Sequence, residues 1–495
     1  MVRLSIKSTP EDVLAFWFGA DELDDRNSVA YLQAGWERWF FGKDLLFDIA
    51  QWEATALIEH AASDAFDDAP AWAQPRAQLA RILLLDQFTR CAYRGSAAAL
   101  SHDVLACQLA RQLFAQHKAF STLMPVERFF VCLALSHAED IEDNRLHVQI
   151  AEKLTEGFPS DSPTRRFFER LPGFPYEHFD TIQRFGRFPH RNKLLGRATT
   201  EAEAAWLASP ACPGWARSQH RAILSYWDGR GLGDPVRFLL EFCLIPYDEC
   251  PVHTREAFNE LRSSGKLAFN QVPLLEMDDV PLVQTQAILR YVAGKKGLRG
   301  TTAAHEAFAD MVVNGVLDAR MPLITARFSN DPRAAIDKFE SVTLPQLGAH
   351  LERMLRAHGG DYICAAGLTY ADVVLLEFLC YAADECDAAL ERILCDCPRL
   401  LAHHHRMSSF GHMKAYLGSD RRKPTPDAAF VRRTCAILDI PCPAHAQLLH
   451  ADETPTRASR WSMLAVGICA AAMLVLARQR LCRRVWHKGA HEREP

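Results

Sequence analysis

Little in this 495-residue chain points to an oxidising compartment. Its fifteen cysteines are scattered, odd in number and without a C-x-x-C pair, so the thiols read as reduced and no disulfide framework is expected. No charge of one sign dominates either. A formal net charge of −5 gives no global reason to expect a nucleic-acid partner. Met1 to Asp12 lacks the apolar core of a secretory leader, which leads to the expectation of a cytosolic protein. Nucleophile-elbow, phosphate-loop and zinc-protease motifs are missing, which removes the commonest hydrolase and nucleotide signatures. The candidate cysteine–histidine cluster, Cys395-Asp-Cys397 before His403-His404-His405, has a spacing that fits no common zinc module, so no metal is expected.

What is present is the composition of an ordinary folded protein, 49% hydrophobic and 24% charged. The length exceeds one ordinary core, so two or three domains are expected. Before residue 215 the patterns are helical and no alternating strand pattern separates them. Trp72 to Tyr93, Ala97 to Gln116 and Pro125 to Ile141 each repeat apolar residues at i, i+3, i+4 and i+7, which predicts an all-α domain over residues 1–212.

Within that domain Arg184, Arg187, His190, Arg191 and Asn192 concentrate donors in one short segment broken by Gly186 and Pro189. Arginine's planar fork suits carboxylate or phosphate, so the segment is a candidate anion pocket, with Asp86, Gln87, Arg90, His137, Glu139 and Asp140 as counter-charges. The plainer alternative is a buried salt-bridge network that fixes helix packing. The motifs Leu84-Leu-Asp-Gln-Phe-Thr-Arg90, Ser136-His-Ala-Glu-Asp140 and Arg184-Phe-Gly-Arg-Phe-Pro-His-Arg-Asn192 resemble an uncharacterised bacterial family with a tetratricopeptide-like helical fold. That resemblance spans roughly residues 10–210 and implies no activity.

After residue 215 the pattern changes. Ala222 to Trp227 reads as a short strand, Asp228 to Gly233 as a Gly-rich turn, and Asp234-Pro235 as the N-cap and first position of a helix running through Phe242. Val280 to Val283 reads as a further strand ending at Gln284-Thr285, which open a helix over Gln286 to Ala293. Alone, a tyrosine such as Tyr226 on a strand reads as core packing. The ordered set of turn, Gln271-Val272-Pro273 and Gln284-Thr285 resembles the N-terminal domain of cytosolic glutathione transferases of the tyrosine type, most like the alpha and sigma classes.

That resemblance implies a thioredoxin-like α/β domain over 219–297 and a transferase helical domain over 300–440. It also implies a homodimer and an enzyme that joins the glutathione thiolate to an apolar electrophile. Tyr226 matches the tyrosine that donates a hydrogen bond to the sulfur, and Arg230 the arginine of the Gly-Arg-Gly turn. A hydrogen bond to the charged form lowers a thiol's pKa. Arg262 matches a basic residue at the glycine carboxylate, Val272-Pro273 the cis-proline that pairs with the cysteinyl backbone, and Gln271 a neighbouring polar contact. Gln284 and Thr285 match the helix opening that takes the γ-glutamyl carboxylate. Asp318 matches a residue reaching the partner's glutathione, and Thr369-Tyr-Ala-Asp372 a buried helix start. The alternative is a non-catalytic adaptor that uses the transferase fold for dimerisation and the helical domain for partners.

At the C-terminus, residues 441–460 read as a linker. Trp461 to Ala477 are uncharged, with Arg457, Arg460, Arg478 and Arg480 at their flanks. This reads as a transmembrane helix over 461–477, with 478–495 a basic tail and membrane lipid its partner. A tail-anchored protein with its domains in the cytosol is expected, most consistent with the mitochondrial outer membrane and otherwise with endoplasmic reticulum or peroxisome.

Overall fold

The computed structural model describes residues 4–447, apart from short stretches at 20–26, 41, 43, 64–65, 67–68, 157, 171–172, 218–220 and 387–388. The expected span over 461–477 lies outside the described residues. Among the described residues no helix is long and apolar enough to cross a membrane.

The first 217 residues contribute only helices among those described. Three of the expected long helices are interrupted, each for a local reason. Trp72 to Tyr93 becomes a 3-10 turn Pro70–Trp72, a helix Pro75–Leu83 that starts on proline, a π turn Leu84–Phe88 and a last turn Thr89–Ala92. The wide turn places Asp86 in the interior, where it is 1% exposed. Ala97 to Gln116 breaks between a 3-10 turn Ala97–Leu100 and the helix Asp103–Ala115. Pro125–Ser136 stops short of Ile141 because Asp140 caps the next helix, accepting the Glu142 and Asp143 amides.

The second half opens with β1, Ala222–Trp227, followed by β2, Tyr247–Val252, β3, Leu274–Met277, and β4, Val280–Val283. The order is β2-β1-β3-β4, with β1 and β2 parallel and the other pairs antiparallel. β1 and β4 have the bounds expected from their sequence. The helix after β1 departs from expectation. A 3-10 turn Gly231–Gly233 runs straight into Asp234–Phe242, so Gly233 takes the cap position and Asp234 is the first helical residue. The Asp234 carboxylate instead accepts from Arg237 at 3.3 Å. The helix at Gln284 runs over Thr285–Lys295, one residue earlier and two later than expected.

The bundle that follows is built around Tyr370–Glu385, most of which is buried. Its start is the expected capping box. Asp372 accepts from the Thr369 amide at 2.8 Å and the Ile363 amide at 2.7 Å, and His403 Nε2 lies 2.9 Å from the same carboxylate. Leu45 and Ile49 from the first half enter the core of this second half. Beside them Lys296 Nζ donates to Asp48 Oδ2 at 2.6 Å with both side chains buried, so the two halves share one interior.

Candidate active site

β1 ends in Tyr226-Trp227 and the chain turns at once through three glycines. The Tyr226 side chain is enclosed, the residue being 5% exposed, and its oxygen accepts the Leu232 N–H at 2.8 Å. Burial raises the Tyr226 pKa, opposed in part by that N–H and by the guanidinium groups of Arg237 and Arg320. The phenol therefore stays protonated at neutral pH and keeps its O–H as a donor.

The glycines are demanded by how closely the turn wraps this ring. A Cβ at Gly231, where φ is +42°, would lie 2.4 Å from the Tyr226 oxygen, and one at Gly233 would lie 2.5 Å from a ring carbon. At Gly229 a Cβ would lie 2.2 Å from the Phe430 ring, on the terminal helix Ala428–Leu438. Phe430 and Tyr226 belong to one apolar cluster, and that helix packs on the glycine turn around the tyrosine. Lys423 Nζ to Asp228 at 3.1 Å and Arg433 to the Asp228 carbonyl at 3.3 Å fasten the covering segment to the turn.

Arg230, matched to the arginine of the Gly-Arg-Gly turn, has its charge engaged within the protein. It is buried, donating to Asp384 Oδ2 at 2.7 Å and to the Lys423 carbonyl at 2.7 Å. Its charge is matched there, and it joins the turn to the covering segment. The cations that act on Tyr226 are Arg237 and Arg320. Arg237 stands 5.8 Å over the Tyr226 ring, pairs with Glu249 at 2.6 Å and donates to the Gly229 carbonyl at 2.8 Å. Arg320 forms a fully buried pair with Glu377 and donates to the Gly231 carbonyl at 2.9 Å. The signal for Arg237 and Arg320 lay in the sequence, as charges among the apolar residues of helical runs.

Gln271 and Gln284 meet, Gln284 Nε2 donating to Gln271 Oε1 at 3.0 Å. Gln284 holds φ at +72° and ψ at 111°. A non-glycine residue there costs about 1–3 kcal/mol, and such strain gathers at ligand sites. Thr285 is buried and donates to the Leu232 carbonyl at 3.1 Å, linking this helix opening to the glycine turn. The Val272–Pro273 bond is cis, as expected. Arg262 is exposed, with its guanidinium 5.7 Å from the Phe258 ring. Asp318 is exposed on the helix Ala303–Ala326.

Of the expected anion cluster only Arg191 reaches a cavity, beside His137, Glu139 and Asp140; Arg184, Arg187, His190 and Asn192 are not in its lining. Arg187 holds Glu203 at 2.7 and 2.9 Å, and Asn192 donates to the same carboxylate at 3.2 Å. Arg191 holds Asp103 at 3.1 Å, while Arg184 is exposed with its guanidinium 4.8 Å from the Phe185 ring. Burial and Arg191 keep the His190 pKa well below its ordinary value. Arg187, before the 3-10 turn Pro189–Arg191, and Arg191, at its end, reach different carboxylates. The salt-bridge alternative describes Arg187, Arg191 and Asn192. Among the described residues no group of three or more His, Cys, Asp or Glu is placed to hold a metal ion. His403 of the Cys395–His405 cluster is committed to Asp372.

A four-stranded thioredoxin-like sheet with a tyrosine at the end of its first strand, followed by a helical bundle, defines the glutathione-transferase class. The comparisons agree. Residues 222–294 match the glutathione S-transferase N-terminal domain and residues 317–420 its C-terminal domain. Residues 13–211 match a family described as a bacterial protein of unknown function (DUF924). Glutathione S-transferase A3 of Mus musculus is 34% identical over 214 residues, covering 43% of this chain and 95% of the relative. Glutathione S-transferase alpha-5 of Rattus norvegicus is 34% identical over 210 residues, covering 42% and 93%. A solved Pi-class glutathione S-transferase of Onchocerca volvulus is 27% identical with a TM-score of 0.36, covering 40% and 92%. Through its C-terminal half the chain belongs to the glutathione S-transferase family. It is a glutathione-transferase-like enzyme with an extra helical half.

Proposed function

We propose that the chain is a membrane-anchored glutathione transferase whose Tyr226 O–H stabilises the thiolate of glutathione as it attacks an apolar electrophile. The carbon–sulfur bond forms as the electrophile's leaving group departs, and the thiol proton goes to solvent. The observation that carries this reading is the enclosed Tyr226 hydroxyl, held by the Leu232 amide in a glycine turn that packs against Phe430. Gln271 and Val272-Pro273, just before β3, and Gln284 and Thr285, just after β4, would bind the peptide, and Arg262 its glycine carboxylate. Retention of the full chain on immobilised glutathione, with release by free glutathione, is the expected result. A chain that flows through such a column would end the proposal.

A homodimer is part of this reading, with Asp318 facing the neighbour's glutathione. Phe269, Val280 and Met311 are large apolar residues left exposed in the transferase half, and Phe269 is 64% exposed. Light scattering should give the mass of two chains, and Phe269→Ser should shift it toward one. A wild-type mass of one chain would exclude the dimer.

The anchor rests on the sequence of residues 461–477, outside the described residues. A chain ending at Thr456 should be soluble, whereas residues 451–495 fused to a fluorescent protein should coat an organelle, the mitochondrial outer membrane being the proposed one. A helix satisfies its backbone internally, and this one would present almost only apolar side chains to lipid. Replacing Ala471 and Leu474 with arginine should abolish targeting, each central arginine costing about 2.5–3.5 kcal/mol on insertion scales. A diffuse wild-type fusion would refute the anchor.

A further inference from the structure

His137, Glu139 and Asp140 meet Arg191 at one cavity of about 410 Å³, and Asp86 of a third motif lies against His137. Asp86 comes from the π turn, His137 from the end of Pro125–Ser136, and Arg191 from the 3-10 turn. Asp86 Oδ1 lies 2.7 Å from His137 Nδ1. Arg90 holds Asp103 through two bonds, at 2.7 and 2.9 Å, and Arg191 adds the Asp103 bond at 3.1 Å and one to the His137 carbonyl at 2.9 Å. Asp103, His137 and Arg191 of this charged network line the cavity. The rim is apolar, with Leu100, Val104 at 71% exposed and Leu195 at 40% exposed. Two of the chain's exposed large apolar residues therefore flank a polar cavity.

The network leaves particular valences open. Burial alone would raise the Asp86 pKa, but Arg90 and His137 hold it well below the ordinary range, so it is an ionised acceptor. His137 then donates from Nδ1 and presents the lone pair of Nε2. Burial first, and Arg90 after it, lower the His137 pKa, so the imidazole is neutral. Arg191, 6% exposed and lining the cavity, has a buried Nε with no partner. A buried donor without an acceptor is a cost that a ligand acceptor relieves. Asp103, Glu139, Asp140 and Asp143 line the cavity against the guanidinium groups of Arg111 and Arg191, an excess of negative charge. Arg111 is engaged by Asp143 and Glu139 by Arg197, whereas exposed Asp140 meets only the two amides it caps.

We propose that this cavity binds an α-amino acid unit with an apolar side chain, free or at the N-terminus of a short peptide. The ammonium is taken by Asp140 and His137 Nε2, the carboxylate or peptide carbonyl by Arg191 and Arg111. The side chain lies on Leu100, Val104 and Leu195. One ligand class thereby uses the negative excess, the open donor and the apolar rim together. The site lies in the helical half, and the proposal is independent of the thiol chemistry at Tyr226.

Calorimetric titration of the full chain without glutathione, using L-leucine, leucyl-glycine and N-acetyl-leucine, tests it. Leucine or leucyl-glycine should bind at one per chain. Binding by leucine alone identifies the free amino acid, by leucyl-glycine alone the peptide terminus, and by both a site that reads only the shared unit. N-acetyl-leucine, which lacks the ammonium, should bind weaker by about tenfold or more. Asp140→Asn keeps an N-capping side chain but removes the charge, and should weaken leucine or leucyl-glycine by about tenfold. Val104→Asp, on the open rim, should also weaken binding without unfolding the chain. The proposal is overturned if neither amine binds, if N-acetyl-leucine binds as well as leucine, or if Asp140→Asn and Val104→Asp both bind like wild type.

Discussion

Tyr226→Phe should retain glutathione on the protein while conjugation to a general aryl halide falls by on the order of 10²-fold or more, the usual loss for one donor at a developing or stabilised anion. The two parts of this outcome separate for a structural reason. The peptide would be held by Gln271, Val272, Gln284 and Thr285, none of which bonds the phenol oxygen directly. The bond that the Leu232 N–H makes to that oxygen, at 2.8 Å, is lost with it, but Gly231 and Gly233 still close on the ring carbons. The turn therefore keeps its shape. The pH–rate profile provides a second readout. With the donor removed the thiol ionises at higher pH, so the alkaline rise in kcat/KM should move upward by roughly 1–2 units. A folded Phe variant with wild-type turnover would take Tyr226 out of the chemistry, whatever else the fold does.

How much of this was legible beforehand differs by level. Strands β1 and β4 were readable because each is a short apolar run closed by a turn signal, at Asp228-Gly229 and at Gln284. The capping box at Thr369 was readable for the same reason: its residues interact locally. Asp234 misled because a good capping residue was followed by proline. The three preceding residues already turn as a 3-10 segment, so the cap passed to Gly233 and the Asp234 carboxylate was released to Arg237. The interrupted helices of the first half share that origin, since periodicity cannot show a π turn or a cap inside an unbroken apolar pattern.

Charge partners were the least legible. Arg184, Arg187 and Arg191 sit within eight residues, yet the first is exposed and the others reach Glu203 and Asp103, far off in sequence. Proximity along the chain was mistaken for proximity in space. The same limit hid the true environment of Tyr226. Arg230 was visible from the turn it occupies, but its neutralisation by Asp384 was not, because that partner lies in the bundle more than a hundred residues later. Arg237 and Arg320, which do act on the tyrosine, appear in the sequence only as lone charges on apolar helix faces. Such charges are worth following wherever a buried functional group needs a field.

Arg320→Ala should be the most destabilising single change near the site. Removing one member of a buried ion pair leaves the other charge unmatched, which costs about 3–5 kcal/mol. Glu377 is buried on the helix Tyr370–Glu385 at the centre of the bundle, shielded from bulk solvent. Burial already pushes the Glu377 pKa up to about 7, with Arg320 the main opposing charge, so losing Arg320 favours the neutral acid. Urea unfolding should show the loss directly. Exchanging both members for leucine removes both charges, and stability should return to near wild type, as apolar replacements of buried pairs often allow. Activity should not return with it. Arg320 also donates to the Gly231 carbonyl at 2.9 Å, and that turn encloses the Tyr226 oxygen. A double variant that is stable but slow in conjugation separates the two roles of Arg320. If Arg320→Ala unfolds like wild type, the pair contributes nothing to stability. If the stable double variant turns over like wild type, the hold on Gly231 is irrelevant to the chemistry, and the fixed position of Tyr226 must come from Leu232 and the glycines alone.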